Sequence, residues 1–152
     1  MASRGDLANL QTPIAQEMLS SAIPARMAFN GADGSPRVVP IWFHWDGGAL
    51  IISTGADSPK MKAIECNPRL AVTIDTERAP YHVLSIRGTA TFTREPTPTA
   101  EYRLAAVRYL GEERGAAWIK LLGGMPMARI VLKPEWADVF DTGPMMEAAA
   151  QL

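Results

Sequence analysis

Hydrophobic positions along this chain change period several times, and each change marks a predicted element. After Thr12-Pro13, a cap followed by a first-turn proline, Ile14, Met18 and Ala22 recur at helical spacing until Pro24 ends the segment. From Arg26 the pattern becomes β-like: Arg26–Asn30 is a short strand, Gly31–Pro36 is rich in turn residues, and Arg37–Trp45 is a longer β-prone run. Asp46-Gly47-Gly48 joins that run to Ala49–Thr54. Glycine supplies the positive φ that tight hairpins require, so the two runs are predicted to pair as antiparallel neighbours. Ser58-Pro59 repeats the cap-plus-proline signal and opens a helix to about Cys66, which Asn67-Pro68 stops.

Leu70, Val72 and Ile74 alternate with Ala71, Thr73 and Asp75, the period-two pattern of a half-buried strand. Tyr81–Thr93 is the longest strand candidate. It puts Leu84, Ile86, Ala90 and Phe92 on one face, and Gly88 marks a bulge or bend at which a barrel could turn a corner. Thr97-Pro98 starts a helix with Tyr102, Ala106, Tyr109 and Leu110 on a shared face, Gly111 closes it, and Glu112–Leu122 forms a second helix ending at Gly123-Gly124. Met127–Lys133 and Glu135–Phe140 read as strands with Pro134 between them. About six antiparallel strands with one short crossover helix make a mainly β protein with α-helices, a small closed or partly open barrel rather than a parallel βαβ sheet.

Composition narrows the picture. The 152 residues suit one domain over 1–152, with a core across about 12–141 and residues 142–152 as a tail. A formal net charge of −1 argues against nucleic acid as a partner, because that binding draws on many Lys and Arg side chains. The first residues carry polar and charged side chains where a secretory signal needs apolar ones, and no run is long enough to span a bilayer, so a cytoplasmic protein with no membrane partner is expected. Cys66 is the only cysteine, which leaves no intrachain disulfide, paired-thiol motif or cysteine-based zinc cluster. With His44 and His82 as the only histidines, neither a metal site nor a catalytic triad is expected, and the hard chemistry of an enzyme would fall to a cofactor.

The stretch Ile51–Lys62 carries the clearest chemical signal: a strand ends in Ser53 and Thr54, a small turn follows, and a helix start at Ser58-Pro59 brings in Lys60 and Lys62. A phosphate needs donors and positive charge, and free N–H groups at a helix start supply both. Ser53, Thr54, Ser58, Lys60 and Lys62 are therefore candidate ligands, although an ordinary capped helix with solvated lysines gives the same pattern. In Val38–Trp45, Pro40 cannot donate to a ladder, so it marks an edge, a bulge or a place where something else lies alongside, such as a planar ring. Val38, Pro40, Trp42 and His44 would face one way and Val39, Ile41, Phe43 and Trp45 the other, one face filling the barrel and one meeting a partner subunit or cofactor. Trp42 and Trp45 fit equally well as plain core or dimer residues. Arg87, beside the Gly88 bend, could reach a cofactor across an interface or pair with a carboxylate. Both histidines read as hydrogen-bonded surface residues, and Cys66 as a packing residue with no base to activate it.

Taken together, Arg37-Val38-Val39-Pro40-Ile41-Trp42-Phe43, Ile52-Ser53-Thr54, Lys60-Met61-Lys62-Ala63-Ile64 with Asn67-Pro68-Arg69, and Ile86-Arg87-Gly88-Thr89-Ala90 resemble the successive blocks of the pyridoxamine 5′-phosphate oxidase-like, FMN-binding split-barrel superfamily. Their order and spacing match from about Ala25 to Phe92, and Met127–Asp141 is similar to the family's closing strands. The resemblance implies a split β-barrel homodimer with two cofactor sites at the subunit interface. It implies that Ser53, Thr54, Lys60 and Lys62 hold the cofactor phosphate and that Val38, Val39, Pro40, Ile41 and Trp42 lie against the isoalloxazine. The flavin would then be the reactive group, with no side-chain catalytic base. Ala63 stands where a polar residue is frequent, and Gly143–Leu152 lacks the arginine- and tryptophan-bearing ending of pyridoxamine phosphate oxidases proper, which speaks against pyridoxal phosphate synthesis. The compact length and the Trp42-Phe43 block look more like the uncharacterised and deazaflavin-using branches. The expected function is an oxidoreductase using FMN, or the deazaflavin coenzyme F420, on a small-molecule substrate. The alternatives are a non-catalytic flavin carrier, a haem-binding relative with His44 or His82 as axial ligand, and a cofactor-free structural dimer.

Overall fold

The Thr12 hydroxyl accepts from the Ala15 N–H at 3.2 Å and Pro13 fills the first turn, so helix α1 (Pro13–Ser20) starts where the sequence places it. This is a computed structural model, and it describes residues 2–152. After α1 come β1 (Ala25–Asn30), β2 (Pro36–Ile41), β3 (His44–Trp45), β4 (Leu50–Gly55), α2 (Pro59–Cys66), β5 (Arg69–Asp75) and β6 (His82–Glu95). The helical pair α3 (Ala100–Leu110) and α4 (Glu112–Leu122) follows, then β7 (Met127–Leu132), β8 (Trp136–Asp141) and α5 (Gly143–Ala149). Neighbouring strands run antiparallel in the order β2-β1-β5-β6-β7-β4-β3, and β8 also pairs with β6. The result is a mainly β protein whose sheet curls into a half-open barrel.

Strand β6 is the spine of the sheet. It pairs with β8 over His82–Arg87 and with β7 over Ala90–Glu95, while β5 follows its other side from Val83 to Thr89. The changeover falls at Gly88, where the missing side chain lets the Lys133 carbonyl and Leu132 come close. The predicted corner is there. Its register with β5 passes through Gly88 without an inserted residue, so it is a bend and not a bulge. Beyond it Thr91–Arg94 are all exposed, Phe92 included at 37%, so Phe92 leaves the core face on which the sequence pattern put it.

The hairpin expected around Asp46-Gly47-Gly48 is much shorter than the sequence suggests. Arg37–Trp45 is not one strand: its first part, β2, pairs with β1 from Ala25↔Ile41 to Asn30↔Pro36, and only His44 and Trp45 turn back onto β4. At Trp42-Phe43 the chain crosses from one end of the strand order to the other, which makes eight strands where fewer were predicted. Pro40 lies on β2, the strand at the end of the strand order, and edge strands are where a proline is tolerated. The predicted alternation survives the break, with Val39, Ile41 and Trp45 packed against the core, Phe43 inside it and Val38 66% exposed.

Two helix boundaries also differ. The cap of α3 is Thr99 and not Thr97, its hydroxyl accepting from the Tyr102 N–H at 3.2 Å. Residues read as a tail hold α5, none of whose residues is buried. The core joins Met27, Leu50, Ile52, Ile74, Leu84, Ile86, Ile130 and Leu132 of the strands to Met18 and Leu19 of α1 and to Met61 and Ile64 of α2. Each such side chain stabilises the fold by about 1.5–3 kcal/mol through burial. Among the described residues no helix is long and apolar enough to cross a membrane.

Candidate functional site

Strand β4 pairs with β7 along its whole length and has α3 packed against it, so even its polar end is covered: Ser53 and Thr54 are each 8% exposed. The Ser53 hydroxyl lies 3.2 Å from that of Thr99, the α3 cap. On β7, directly opposite Ser53, Arg129 pairs with Glu101 in the first turn of α3 at 2.6 Å. These contacts fasten α3 to the β4–β7 ladder. The hydrogen bond from Arg129 holds the Glu101 carboxyl below its usual 4.5. A carboxyl depressed in the folded state stabilises above its unfolded pKa, and that stability is lost as pH falls through the folded value. Glu101→Gln is therefore expected to lower the melting temperature by about 2 °C at neutral pH. In acid below the depressed pKa the two proteins should melt together, which thermal circular dichroism at both pH values would show.

After β4 the chain turns through Ala56–Ser58 into α2. Arg94 of β6 pins this turn by donating to the Ala56 carbonyl at 2.7 Å and pairing with Glu65 at 2.7 Å, and the Ser58 N–H reaches the Gly55 carbonyl at 3.1 Å. Lys60, in the first turn of α2, points back so that its Nζ donates to Thr54 Oγ1 at 2.8 Å, and burial pushes its pKa down from 10.5. The Ser58 Oγ is buried with no hydrogen-bond partner among the described residues, and no side chain caps α2. An orphaned hydroxyl, a half-desolvated ammonium and an uncapped helix start thus meet at one turn. That donor set fits a phosphate group, which supplies acceptors to all three.

Beside the turn lies a cavity of about 420 Å³, within the range of small-molecule sites. Ser53, Thr54, Gly55 and Lys60 line one part of it, Pro40, Ile41 and Trp42 another, and Tyr102, Trp118, Leu122, Met125 and Met127 the wall formed by α3, α4 and the start of β7. The Trp42 ring stacks on Tyr109 with centroids 5.1 Å apart and planes 8° from parallel, and the Tyr109 hydroxyl donates to the Ile23 carbonyl at 3.1 Å. Arg108 clips the Trp42-Phe43 crossing in place, donating to the Phe43 carbonyl and, at 2.8 Å, to that of Ser21. The cavity's aromatic side is therefore held rigidly.

Of the candidates read from sequence, Pro40, Ile41, Trp42, Ser53, Thr54 and Lys60 come together around this cavity, and Ser58 stands at its turn. Val39 lines an adjoining hollow that shares Lys60 with it. Val38 faces outward, and Lys62 is exposed because two steps along a helix carry it about 200° round from Lys60. Arg87 lies elsewhere, its guanidinium 3.9 Å above the Trp136 ring in a separate cavity of about 510 Å³. His44 lines a small hollow of about 230 Å³, and His82 faces Asp141 across the β6–β8 pair at 3.4 Å. Sequence reasoning missed Trp118, Leu122, Met125 and Met127 as cavity residues and read Tyr102 only as part of a packing face. The available signal was two large aromatics, Tyr102 and Trp118, on successive helices joined by Gly111 alone.

A family model described as pyridoxamine 5′-phosphate oxidase matches residues 12–138. Among solved structures, an F420 reductase is similar at 26% identity with a TM-score of 0.63, covering 81% of this chain and 94% of its own. A conserved hypothetical protein from Mycobacterium tuberculosis shares the fold at 16% identity and a TM-score of 0.70, over 94% of this chain and 92% of its own. HutZ, a haem storage protein from Vibrio cholerae, shares it at 16% identity and a TM-score of 0.59, over 85% and 92% respectively. No curated protein matches the chain.

Proposed function

This chain belongs to the pyridoxamine 5′-phosphate oxidase family, and from that premise we propose that it is an oxidoreductase that binds FMN, or the deazaflavin coenzyme F420, as a homodimer and acts on a small molecule. The observation that carries this reading is the turn at Thr54, Ser58 and Lys60, where a buried hydroxyl with no partner among the described residues stands beside a half-desolvated ammonium. Thr54, Ser58 and Lys60 would hold the cofactor phosphate, and Pro40, Ile41 and Trp42 would lie along the ring. Bound there, the ring would supply hydride transfer. The protein's own part is to bind, orient and keep dry. Lys60 neutralises the phosphate, Arg94 holds the turn that presents it, and the Trp42–Tyr109 stack with the Arg108 clip fixes the surface against which a planar ring rests. Ser53 acts chiefly as a fastener, since its hydroxyl is engaged with the α3 cap. In the homodimer of this reading, the outward-facing Arg87 serves the neighbouring copy's site.

The similarity to an F420 reductase at 26% identity supports keeping F420 beside FMN, since both carry a tricyclic ring and a phosphate. Haem ligation draws less support, because neither His44 nor His82 lines the Lys60 cavity. The deciding measurement is the absorbance spectrum of the purified protein, with mass identification of whatever acid precipitation releases, repeated after soaking with FMN and with F420. Retention of either at one per subunit is expected. A protein that takes up neither, or that takes up haem, would overturn the reading.

A further inference from the structure

The phosphate turn and the edge strand leave one part of the cavity without a role, namely the wall built by Tyr102, Trp118, Leu122, Met125 and Met127. Lys60 is the only charged side chain among the residues lining the cavity, and it stands at the phosphate turn. A charged molecule placed against the wall would give up part of its hydration and find no counter-charge there. Aromatic faces and thioethers favour a flat, polarisable one. The wall has a single oriented polar group. Trp118 Nε1 donates to the Tyr102 hydroxyl at 3.0 Å, and Tyr102 gives its own proton to no described residue. Accepting from the indole fixes the hydroxyl's rotation and directs that proton away from Trp118. Trp42, which also lines the cavity, packs beside both rings, 5.8 Å from Tyr102 and 6.1 Å from Trp118 between centroids.

We propose that this wall is the substrate subsite and that Tyr102 is its specificity-determining donor, selecting an uncharged planar molecule that offers one carbonyl-type oxygen. The assignment rests on the reading above, in which the Lys60 end belongs to the cofactor phosphate.

The test uses coumarin, which is planar and carries a carbonyl, and naphthalene, which has the same two-ring size and no acceptor. Each is titrated by nuclear magnetic resonance into wild type, Tyr102→Phe and Trp118→Phe, and FMN affinity is measured on the same proteins. Coumarin is expected to bind wild type and to bind Tyr102→Phe about tenfold more weakly, the loss of one hydrogen bond. Naphthalene should be indifferent to that change, and Trp118→Phe should weaken coumarin by less than Tyr102→Phe does. The proposal is overturned if wild type does not bind coumarin, if Tyr102→Phe binds it unchanged, or if naphthalene suffers equally. A larger loss in Trp118→Phe would overturn the assignment of the donor to Tyr102. FMN affinity should be unchanged in Tyr102→Phe. If coumarin behaves as expected while Lys60→Ala still binds FMN at wild-type strength, the cofactor reading fails and the Tyr102 subsite stands. The reverse pattern sinks the subsite alone.

Discussion

Gly88→Val is expected to yield little or no folded protein. The glycine's φ is negative, so the reason is space and not backbone conformation. A Cβ at this point would fall against the Lys133 carbonyl oxygen and 3.0 Å from Leu132 Cδ1. The carbonyl belongs to backbone that cannot easily retreat, because β7 ends at Leu132 and the Glu135 N–H bonds the Arg87 carbonyl at 2.9 Å on the way into β8. Overpacking of this kind costs about 3 kcal/mol when side chains can shift and more when backbone must. That is a large part of the roughly 5–15 kcal/mol that holds a domain together. Soluble yield and the urea midpoint, read by circular dichroism on Gly88→Ala and Gly88→Val, should fall in that order. A valine variant with the wild-type midpoint would mean that the corner does not depend on this close approach.

Lys60→Ala is expected to weaken binding of FMN or F420 by about 10- to 100-fold, the worth of a charge-assisted hydrogen bond to phosphate. Ser58→Ala removes a neutral donor and should cost about tenfold or less. Lys62→Ala is the control: its side chain is exposed on another face of α2 and should leave affinity unchanged. Fluorescence titration of each variant separates the cases. If Lys62→Ala costs as much as Lys60→Ala, the phosphate does not sit at the turn described here. The pH dependence has a definite sign. Burial lowers the Lys60 pKa in the free protein, so its charge is lost at lower pH than an exposed lysine's would be. Cofactor affinity should therefore decline as pH rises through that lowered value.

Much of the architecture was legible because local signals agreed with the global fold. Thr12-Pro13 and Ser58-Pro59 start helices where they should, the Leu70/Val72/Ile74 alternation is a strand, and Gly88 marks the corner. The failures have physical causes. Arg37–Trp45 reads as one strand because Val39, Ile41, Phe43 and Trp45 keep the same inward alternation across the crossing at Trp42-Phe43. Period-two patterning reports which face is buried and is silent about which neighbour pairs, and that choice was made by β1 and by the Arg108 clip.

At the site, the sequence brought Ser53, Thr54, Ser58 and Lys60 together because a strand end and a helix start are contiguous there. It also included Lys62, next but one in the chain, whose side chain the helix turns to another, exposed face of α2. Ser53 also looked like a free ligand, since its partner Thr99 is remote in sequence. Tyr102 was read as packing, and Trp118 was not singled out, because a helix that lies over a cavity shows the same apolar face as one that lies over a core.

The pairing of β4 with β7, Ser53 opposite Arg129, also sets the order in which the molecule can be completed during synthesis. Residues leave the ribosome at about 5–20 per second, from the N-terminus onward. Strands β1 and β2 are adjacent in the chain and β5 follows closely, so that half of the sheet can form early. Strand β4 cannot. Until Met127–Leu132 emerges, its Leu50-Ile51-Ile52 segment has only the two residues of β3 as a ladder partner, and an apolar edge stands open to other chains. The nascent protein therefore passes through an interval of aggregation risk that ends only when β7 arrives. Because the strand leading into the turn at Ser58 is the one kept waiting, a cofactor held there as proposed above would be captured in the last stage of folding and would seal it.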